Sequence, residues 1–326
     1  MIPRRHLLAW ALAAASGRLA AQTRVGADAM LIEAAAAGDA REARRLIASG
    51  ASVHARDASG RTALLAATQG NHEAAAKLLI EAGADVNAQD SQLDSAYLLA
   101  GARGYLGILR MMLAAGANLK STNRFVGTAL IPACHYGHVE IVRELLRTGI
   151  DVNHVNRLGW TALLEAVILG DGGPRHTEIV RLLLAGGAST AIADRDGVTP
   201  LEHARRRGYD AMARLLRYAT PMQKAFEMKR RAIAAGDQAY GAVVILGDAI
   251  VGEGPSRVVA RRDPSAHAER EAIRDAQRRL GTSDLAGCEL VSTARPCAAC
   301  ERAAYAARIR RMVHGEALED AGPPSG

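Results

Sequence analysis

Hydroxyl side chains and glycines recur along the first two thirds of the chain about every 33 residues, and this period constrains the fold most strongly. The hydroxyl positions are Thr62, Ser95, Thr128, Thr161 and Thr199, and the glycines are Gly50, Gly83, Gly116, Gly149 and Gly187. Units of this length stack into a solenoid because each one buries its apolar face only against its neighbours. The period therefore predicts a repeat array.

Each repeat has the sequence pattern of two short helices. In the unit that begins at Thr62, the threonine precedes an apolar run, and a second leucine-rich run ends at Gly83. A threonine hydroxyl can cap the first helix, and a glycine can end the second helix where φ turns positive. Histidines that fall at helix turns are predicted to be structural, namely His72, His135, His138, His154, His176 and His203.

The segments Thr161–Ala166 and Thr199–Ala204 resemble the opening of the ankyrin repeat, Thr-Pro-Leu-His-x-Ala. The resemblance covers about residues 28–220 and implies an α-solenoid with one face that binds a protein partner. It also implies capping units, which we expect at Leu31–Gly50 and Ala204–Tyr218. An insertion around Asp171–Pro174 is either part of a binding face or a tolerated surface loop.

A different pattern starts at residue 221, where the repeat phase stops. Over residues 221–316 the helix-like and strand-like segments follow the order α-β-β-α-β-α-β. This order predicts an α/β domain with a mixed sheet flanked by helices. The last segment, residues 317–326, ends in Pro-Pro-Ser-Gly and is predicted to be a disordered tail.

Four residues of this second domain have the composition of a catalytic metal site. His267 and Glu269 form a His-x-Glu sequence, and Cys297 and Cys300 follow in a Pro-Cys-x-x-Cys sequence. One imidazole and two thiolates suit zinc and leave a fourth tetrahedral position for water. Each ligand group falls in the first turn of a predicted helix, where the dipole favours thiolate. Glu269 is placed to carry a proton between the water and a leaving group.

These sequences resemble the signature of the cytidine and deoxycytidylate deaminase superfamily. The wider segments Gly241–Val244, Asp263–Glu269 and Ala307–Gly315 resemble its branch of tRNA adenosine and guanine deaminases. The resemblance implies a Zn²⁺-dependent hydrolytic deaminase that acts on a small nucleobase or nucleoside. It implies zinc ligation by His267, Cys297 and Cys300, and catalysis by Glu269. Ser256 stands where the family has a base-contacting asparagine, so we expect it to contact the substrate.

Two further departures leave the substrate open, because Arg295 replaces a glutamate of the family pattern and Ala299 replaces a methionine. They also keep an alternative open, an ankyrin protein-interaction protein whose deaminase-like domain binds zinc but is inactive. A redox dithiol at Cys297 and Cys300 is another alternative.

A nucleic-acid substrate is the less favoured alternative. Arg308, Arg310 and Arg311 form a basic cluster that would suit a phosphate backbone. The net charge of +7 is nevertheless spread over the chain, and neither predicted domain is strongly basic. Charge alone therefore gives no support to a nucleic-acid partner.

The first 21 residues have the pattern of an export signal. Arg4 and Arg5 precede a short alanine-rich apolar run, and small residues follow before residue 22. The pair of arginines resembles a twin-arginine signal, which implies export to the periplasm. An amphipathic first helix or a misplaced start codon is the alternative. No later segment has the 18 or so apolar residues that a membrane span requires, so we expect no membrane association after cleavage.

We predict that residues 1–30 direct export of a fused reporter protein. Replacing Arg4 and Arg5 by lysine should abolish export if the twin-arginine route is used, because that route depends on the arginine pair. Fractionation of cells that express the fusion measures the result. A reporter that stays in the cytoplasm with the native segment would contradict export.

Overall fold

The computed structural model describes residues 26–326, and the predicted export signal over residues 1–21 lies outside them. The chain divides into two compact units between Thr199 and Pro200. Within the described residues, the helices are too short or too polar for any of them to cross a bilayer.

The first unit is built from helix pairs, as the repeat pattern predicts. Its helices are α1 (residues 26–36), α2 (Ala40–Ala48), α3 (Ala63–Gln69), α4 (Glu73–Glu81), α5 (Ala96–Arg103), α6 (Leu106–Ala114), α7 (Leu130–His135), α8 (Val139–Leu146), α9 (Ala162–Ile168) and α10 (Pro174–Ala185). Helices α3, α5, α7 and α9 pack in one row, called here the inner row, and α2, α4, α6, α8 and α10 pack in a second row, called the outer row. The α-solenoid prediction is confirmed.

Hydroxyl caps open three of the inner-row helices. The side chains of Thr62, Ser95 and Thr161 each accept a backbone N–H three residues on at 3.2 Å. Thr128 departs from this pattern, and its buried hydroxyl has no hydrogen-bond partner among the described residues. Pro132 has no amide hydrogen for the Thr128 carbonyl, which instead accepts from Ile131 N at 3.2 Å. The tighter turn explains why α7 starts late.

Histidine rings join successive repeats. The Nε2 atoms of His72, His138 and His176 lie 3.0, 3.2 and 2.9 Å from the backbone oxygens of Ala36, Ala102 and His135. Each bond satisfies a carbonyl of the preceding repeat that would otherwise be left unpaired near a helix end. The structural role predicted for these three histidines is confirmed.

The second unit contains a mixed five-stranded sheet with helices. Its elements are α11 (Pro200–Arg206), α12 (Asp210–Ala234), β1 (Gly241–Leu246), β2 (Ala249–Pro255), α13 (Val258–Arg261), α14 (Ala268–Leu280), β3 (Cys288–Ser292), α15 (Ala298–Ala306), β4 (Arg311–His314) and β5 (Glu319–Gly322). The strand order is β2-β1-β3-β4-β5. Strands β3 and β4 are parallel, and the other neighbouring pairs are antiparallel. The predicted α/β class is confirmed.

The boundary between the units differs from the one expected at residues 220 and 221. A single helix, α12, runs through Pro221, and the compact units divide before α11. Tyr218, Met222 and Ala225 are buried against the sheet on both sides of the proline. The burial of this continuous apolar face outweighs the lost helical hydrogen bond of Pro221.

The expectation of a disordered tail over residues 317–326 is wrong. Residues 319–322 form β5 and pair with β4, and Leu318 is buried in the same core as α12. Ser325 also donates to Glu301 Oε1 from its hydroxyl at 2.7 Å. The prediction failed because it used the composition of the last residues alone, and composition does not reveal contacts with residues far away in the sequence.

Two glycines of β2 let α14 lie directly on the sheet. A Cβ atom on Gly254 would overlap the backbone at Ala268 O and Ala272 N, and one on Gly252 would overlap Ala272 O. Both glycines are buried under the helix. Because no side chain separates strand from helix there, the first turn of α14 is held close to the end of β2.

We predict that Gly254→Ala lowers the stability of this contact by about 1–3 kcal/mol, because the added methyl group meets backbone that cannot move cheaply. Hydrogen exchange of peptides from β2 and α14, followed by mass spectrometry in increasing urea, measures the change. Gly149→Ala is the control, since its Cβ would meet nothing within 4 Å. Unchanged protection of α14 in Gly254→Ala would contradict this packing.

Candidate metal centre

The amino ends of α14 and α15 meet and bring the three predicted ligands together. His267 is the N-cap residue of α14, and Cys297 is the N-cap residue of α15. Cys300 lies in the first turn of α15 and is fully buried. His267 Nδ1 is 3.6 Å from Cys297 Sγ and 3.4 Å from Cys300 Sγ. Residues separated by about 30 positions in sequence thus form one cluster.

The spacing of the three donors fits a tetrahedral zinc ion. Bond lengths of about 2.3 Å for Zn–S and 2.0–2.1 Å for Zn–N place a nitrogen and a sulfur ligand about 3.6 Å apart. The two N···S distances of 3.6 and 3.4 Å agree with this value. The three donor atoms all lie within 4.8 Å of one another, so this group could hold a metal ion.

The carboxyl group of Glu269 lies beside these ligands. Its Oε2 atom is 3.5 Å from Cys300 Sγ, and the residue is 7% exposed. Burial raises the pKa of this carboxyl above its ordinary value, against the opposing effect of the hydrogen bond from Cys300. A carboxyl group with a raised pKa holds a proton more readily than an ordinary carboxyl group, which suits a group that accepts a proton during a reaction.

The thiol of Cys300 corrects one expectation from the sequence. The helix dipole predicts a stabilised thiolate, whereas burial and the neighbouring Glu269 carboxylate raise the pKa of Cys300 well above its usual range. Desolvation and like charge therefore outweigh the helix end at this position. The thiolate of Cys300 needs a positive partner, and a divalent cation bound at the cluster would supply that charge.

Ser256 does not present a free hydroxyl group. Its Oγ donates to Asp237 Oδ1 at 2.8 Å, and the residue is 2% exposed. The other carboxylate oxygen of Asp237 accepts the amides of Val259 and Ala260, both at 2.9 Å. Asp237 thus caps α13 and holds Ser256, a role that the sequence analysis missed because the partners lie about 20 residues apart. The substrate contact of Ser256 stays a prediction.

Two family models match the chain. The cytidine and deoxycytidylate deaminase zinc-binding region matches residues 217–316. The model of ankyrin repeats (3 copies) matches the chain over residues 10–90, 96–189 and 149–225. The second match extends past the compact-unit boundary, consistent with repeat sequence that continues into α11 and α12.

Relatives of this chain include two deaminases and the tRNA(Ile)-lysidine synthase of Deinococcus deserti, which is 41% identical over 108 residues, 33% of this chain and 20% of that protein. The tRNA-specific adenosine deaminase of Aquifex aeolicus is 36% identical over 92 residues, which are 28% of this chain and 61% of that protein. The guanine deaminase of Bacillus subtilis is 39% identical over 82 residues, which are 25% of this chain and 53% of that protein. The chain thus spans less than two thirds of the length of these relatives.

A solved ankyrin repeat domain from Acinetobacter baumannii is similar to the repeat array. It is 56% identical to this chain, with a TM-score of 0.57, and the match covers 58% of this chain and 97% of that domain. The repeat period, the two rows of helices and this likeness agree. The chain belongs to the ankyrin repeat proteins and carries a cytidine and deoxycytidylate deaminase domain after the repeats.

Proposed function

We propose that the second unit is a zinc-dependent hydrolytic deaminase of a nucleobase or nucleoside. The observation that carries the proposal is the convergence of His267, Cys297 and Cys300 with a buried carboxyl group, that of Glu269, 3.5 Å from one ligand. Three soft-to-borderline donors and an adjacent proton carrier are the parts that hydrolytic deamination requires.

The reaction replaces an exocyclic amine of the base by oxygen. Zinc, when held by the three ligands, makes water available as a nucleophile near neutral pH. The Glu269 carboxylate accepts a proton as the water oxygen bonds to the ring carbon that bears the amine. Glu269 then returns the proton to the amine nitrogen, the C–N bond breaks and ammonia leaves. Burial favours the protonated form of Glu269 and therefore assists the first transfer, in which the carboxylate takes up the proton.

A small substrate is favoured over a nucleic acid by the ion pairs of the basic cluster. Arg308 contacts Asp284 at 2.8 Å, and Arg311 contacts Asp320 at 3.6 Å. Arg310 is paired with the buried Glu289. Because these charges are already neutralised, the cluster offers little attraction for a phosphate backbone.

The His267 ring argues against a redox dithiol as the main role of the two cysteines. A dithiol needs only the two thiols, whereas here one imidazole nitrogen approaches both sulfur atoms. The raised pKa of Cys300 also disfavours the reactive thiolate that such exchange uses.

The ankyrin array is proposed to bind a protein partner, since arrays of this kind present extended surfaces without chemistry of their own. The alternative function is an interaction protein whose deaminase-like domain binds zinc without turnover. Export to the periplasm is part of the proposal, and it rests on the pattern of residues 1–21 alone.

We predict ammonia release from at least one member of a panel of cytosine, adenine, guanine and their nucleosides. Glu269→Gln should lower kcat by about 100-fold or more while the zinc content is unchanged, because the amide cannot carry the proton. Glu316→Gln, an exposed position in the same unit, is the matched control and should retain full activity.

The two proposed functions differ in this assay. Zinc-loaded protein that releases no ammonia from any panel member would support the inactive alternative. Equal activity of Glu269→Gln and the parent protein would contradict the proton-carrying role of Glu269.

A further inference from the structure

A groove with a volume of about 780 Å³ crosses three successive repeats of the first unit. It is lined by inner-row helices α5, α7 and α9 and by the loops that precede α7 and α9. All of its lining residues lie between positions 94 and 169. We call it the Glu165 groove, after the carboxylate that lines it.

Glu165 occupies a position that is apolar in the preceding repeats. The equivalent residues, each one period earlier, are Ala66, Leu99 and Pro132. Glu165 is 7% exposed, and its side chain is 9% exposed. A lone carboxylate therefore replaces apolar side chains in this row, at a cost in desolvation that the fold itself does not require.

The carboxylate of Glu165 is poorly satisfied by its neighbours. Asn156 Nδ2 donates to Oε2 at 3.4 Å, which is a long bond, and His135 Nδ1 is 3.8 Å from Oε1. Burial raises the pKa of Glu165 to about 7. Burial also lowers the pKa of His135, so the ring does not supply a compensating positive charge.

Three other buried carboxylates in the described part of the chain are each paired with arginines. Glu271 is paired with Arg261 at 3.0 Å and with Arg274 at 2.7 Å. Glu289 is likewise paired with Arg217 at 3.0 Å and with Arg310. Asp275 is paired with two arginines as well. Of the five buried carboxylates, Glu165 and Glu269 lack an arginine partner among the described residues.

Large apolar side chains border the same groove. Phe125, Tyr136, Leu158 and Leu169 are 50%, 55%, 49% and 42% exposed. One of the two phenylalanines of the chain is among them. Exposed apolar groups that cluster around a buried polar group are typical of protein interaction sites. Arg124 also lines the groove, but its guanidinium lies over the Phe125 ring at 4.8 Å.

We infer that the Glu165 groove binds a segment of a protein partner that inserts a lysine or arginine side chain onto Glu165, with apolar residues beside it on Phe125, Tyr136 and Leu158. A cation at this position would supply the charged partner that Glu165 lacks, as the arginines do for Glu271 and Glu289. The basic side chain supplies specificity, and the apolar neighbours supply buried area. The inference rests on the proposed protein-binding role of the array.

Selection of a phage-displayed random peptide library on the full chain, in parallel with Glu165→Gln, tests the inference. The native chain is expected to enrich peptides with a lysine or arginine between apolar residues. A synthetic peptide of the enriched sequence should bind Glu165→Gln about tenfold more weakly or worse, measured by fluorescence anisotropy. Acetylation of the peptide lysine, or citrulline in place of arginine, should cause a similar loss.

A double-mutant cycle tests whether the positive charge of the peptide interacts directly with Glu165. The charge-free peptide and Glu165→Gln together should lose little more than either change alone, because both remove the same interaction. Glu81→Gln, whose side chain is 60% exposed on the outer row, should leave binding unchanged. Circular dichroism of Glu165→Gln confirms an intact array.

Two results would overturn the inference. One is the enrichment of peptides without a basic residue, or equal binding of the peptide to the native chain and to Glu165→Gln. Either outcome would mean that the array binds peptides but that the groove does not select a positive charge. The absence of any enriched peptide would count against the groove and against the proposed protein-binding role together. Neither result bears on the deaminase proposal, which is tested by ammonia release.

Discussion

The close seating of α14 on the sheet is the constraint on which the candidate site depends. Gly252 and Gly254 leave no side chain between β2 and this helix. Ala268 and Ala272, on the facing side of α14, are equally small and fully buried. Backbone can therefore approach backbone, and the first turn of the helix is fixed at the edge of the apolar core. This contact therefore fixes the positions of His267 and Glu269, which lie at the start of α14.

Helix α15 supplies the other half of the site by the same logic. Ala304 and Ala307 pack into the cluster that contains Ala268 and Ala272. Small residues on both helices allow their amino ends to converge, and the two cysteines then face the imidazole. The scarcity of aromatic residues in the chain, with 2 Phe, 2 Trp and 7 Tyr, suits this kind of packing. Alanine-rich composition thus has a direct consequence for the geometry of the site.

The sequence predicts much of this architecture because the relevant signals are local. The His-x-Glu and Pro-Cys-x-x-Cys sequences each lie within a few residues, and the hydroxyl caps are visible because they repeat at a fixed period. What it misses depends on distant partners. Tertiary contacts are required for three features: the continuation of α12 through Pro221, the pairing of β5 with β4, and the hydrogen bond between Ser256 and Asp237. The late start of α7 has a local cause in Pro132, whereas the lack of an arginine partner for the buried carboxylate of Glu165 is visible only in the structure.

X-ray absorption spectroscopy at the zinc edge of purified, zinc-loaded protein measures whether His267, Cys297 and Cys300 bind zinc together. We expect stoichiometric zinc with two sulfur ligands at about 2.3 Å and one imidazole nitrogen at about 2.0–2.1 Å, with a light atom completing the shell. Cys297→Ala should remove one sulfur from that shell. Protein that retains no zinc, or a zinc shell without sulfur, would rule out a zinc site at these three residues.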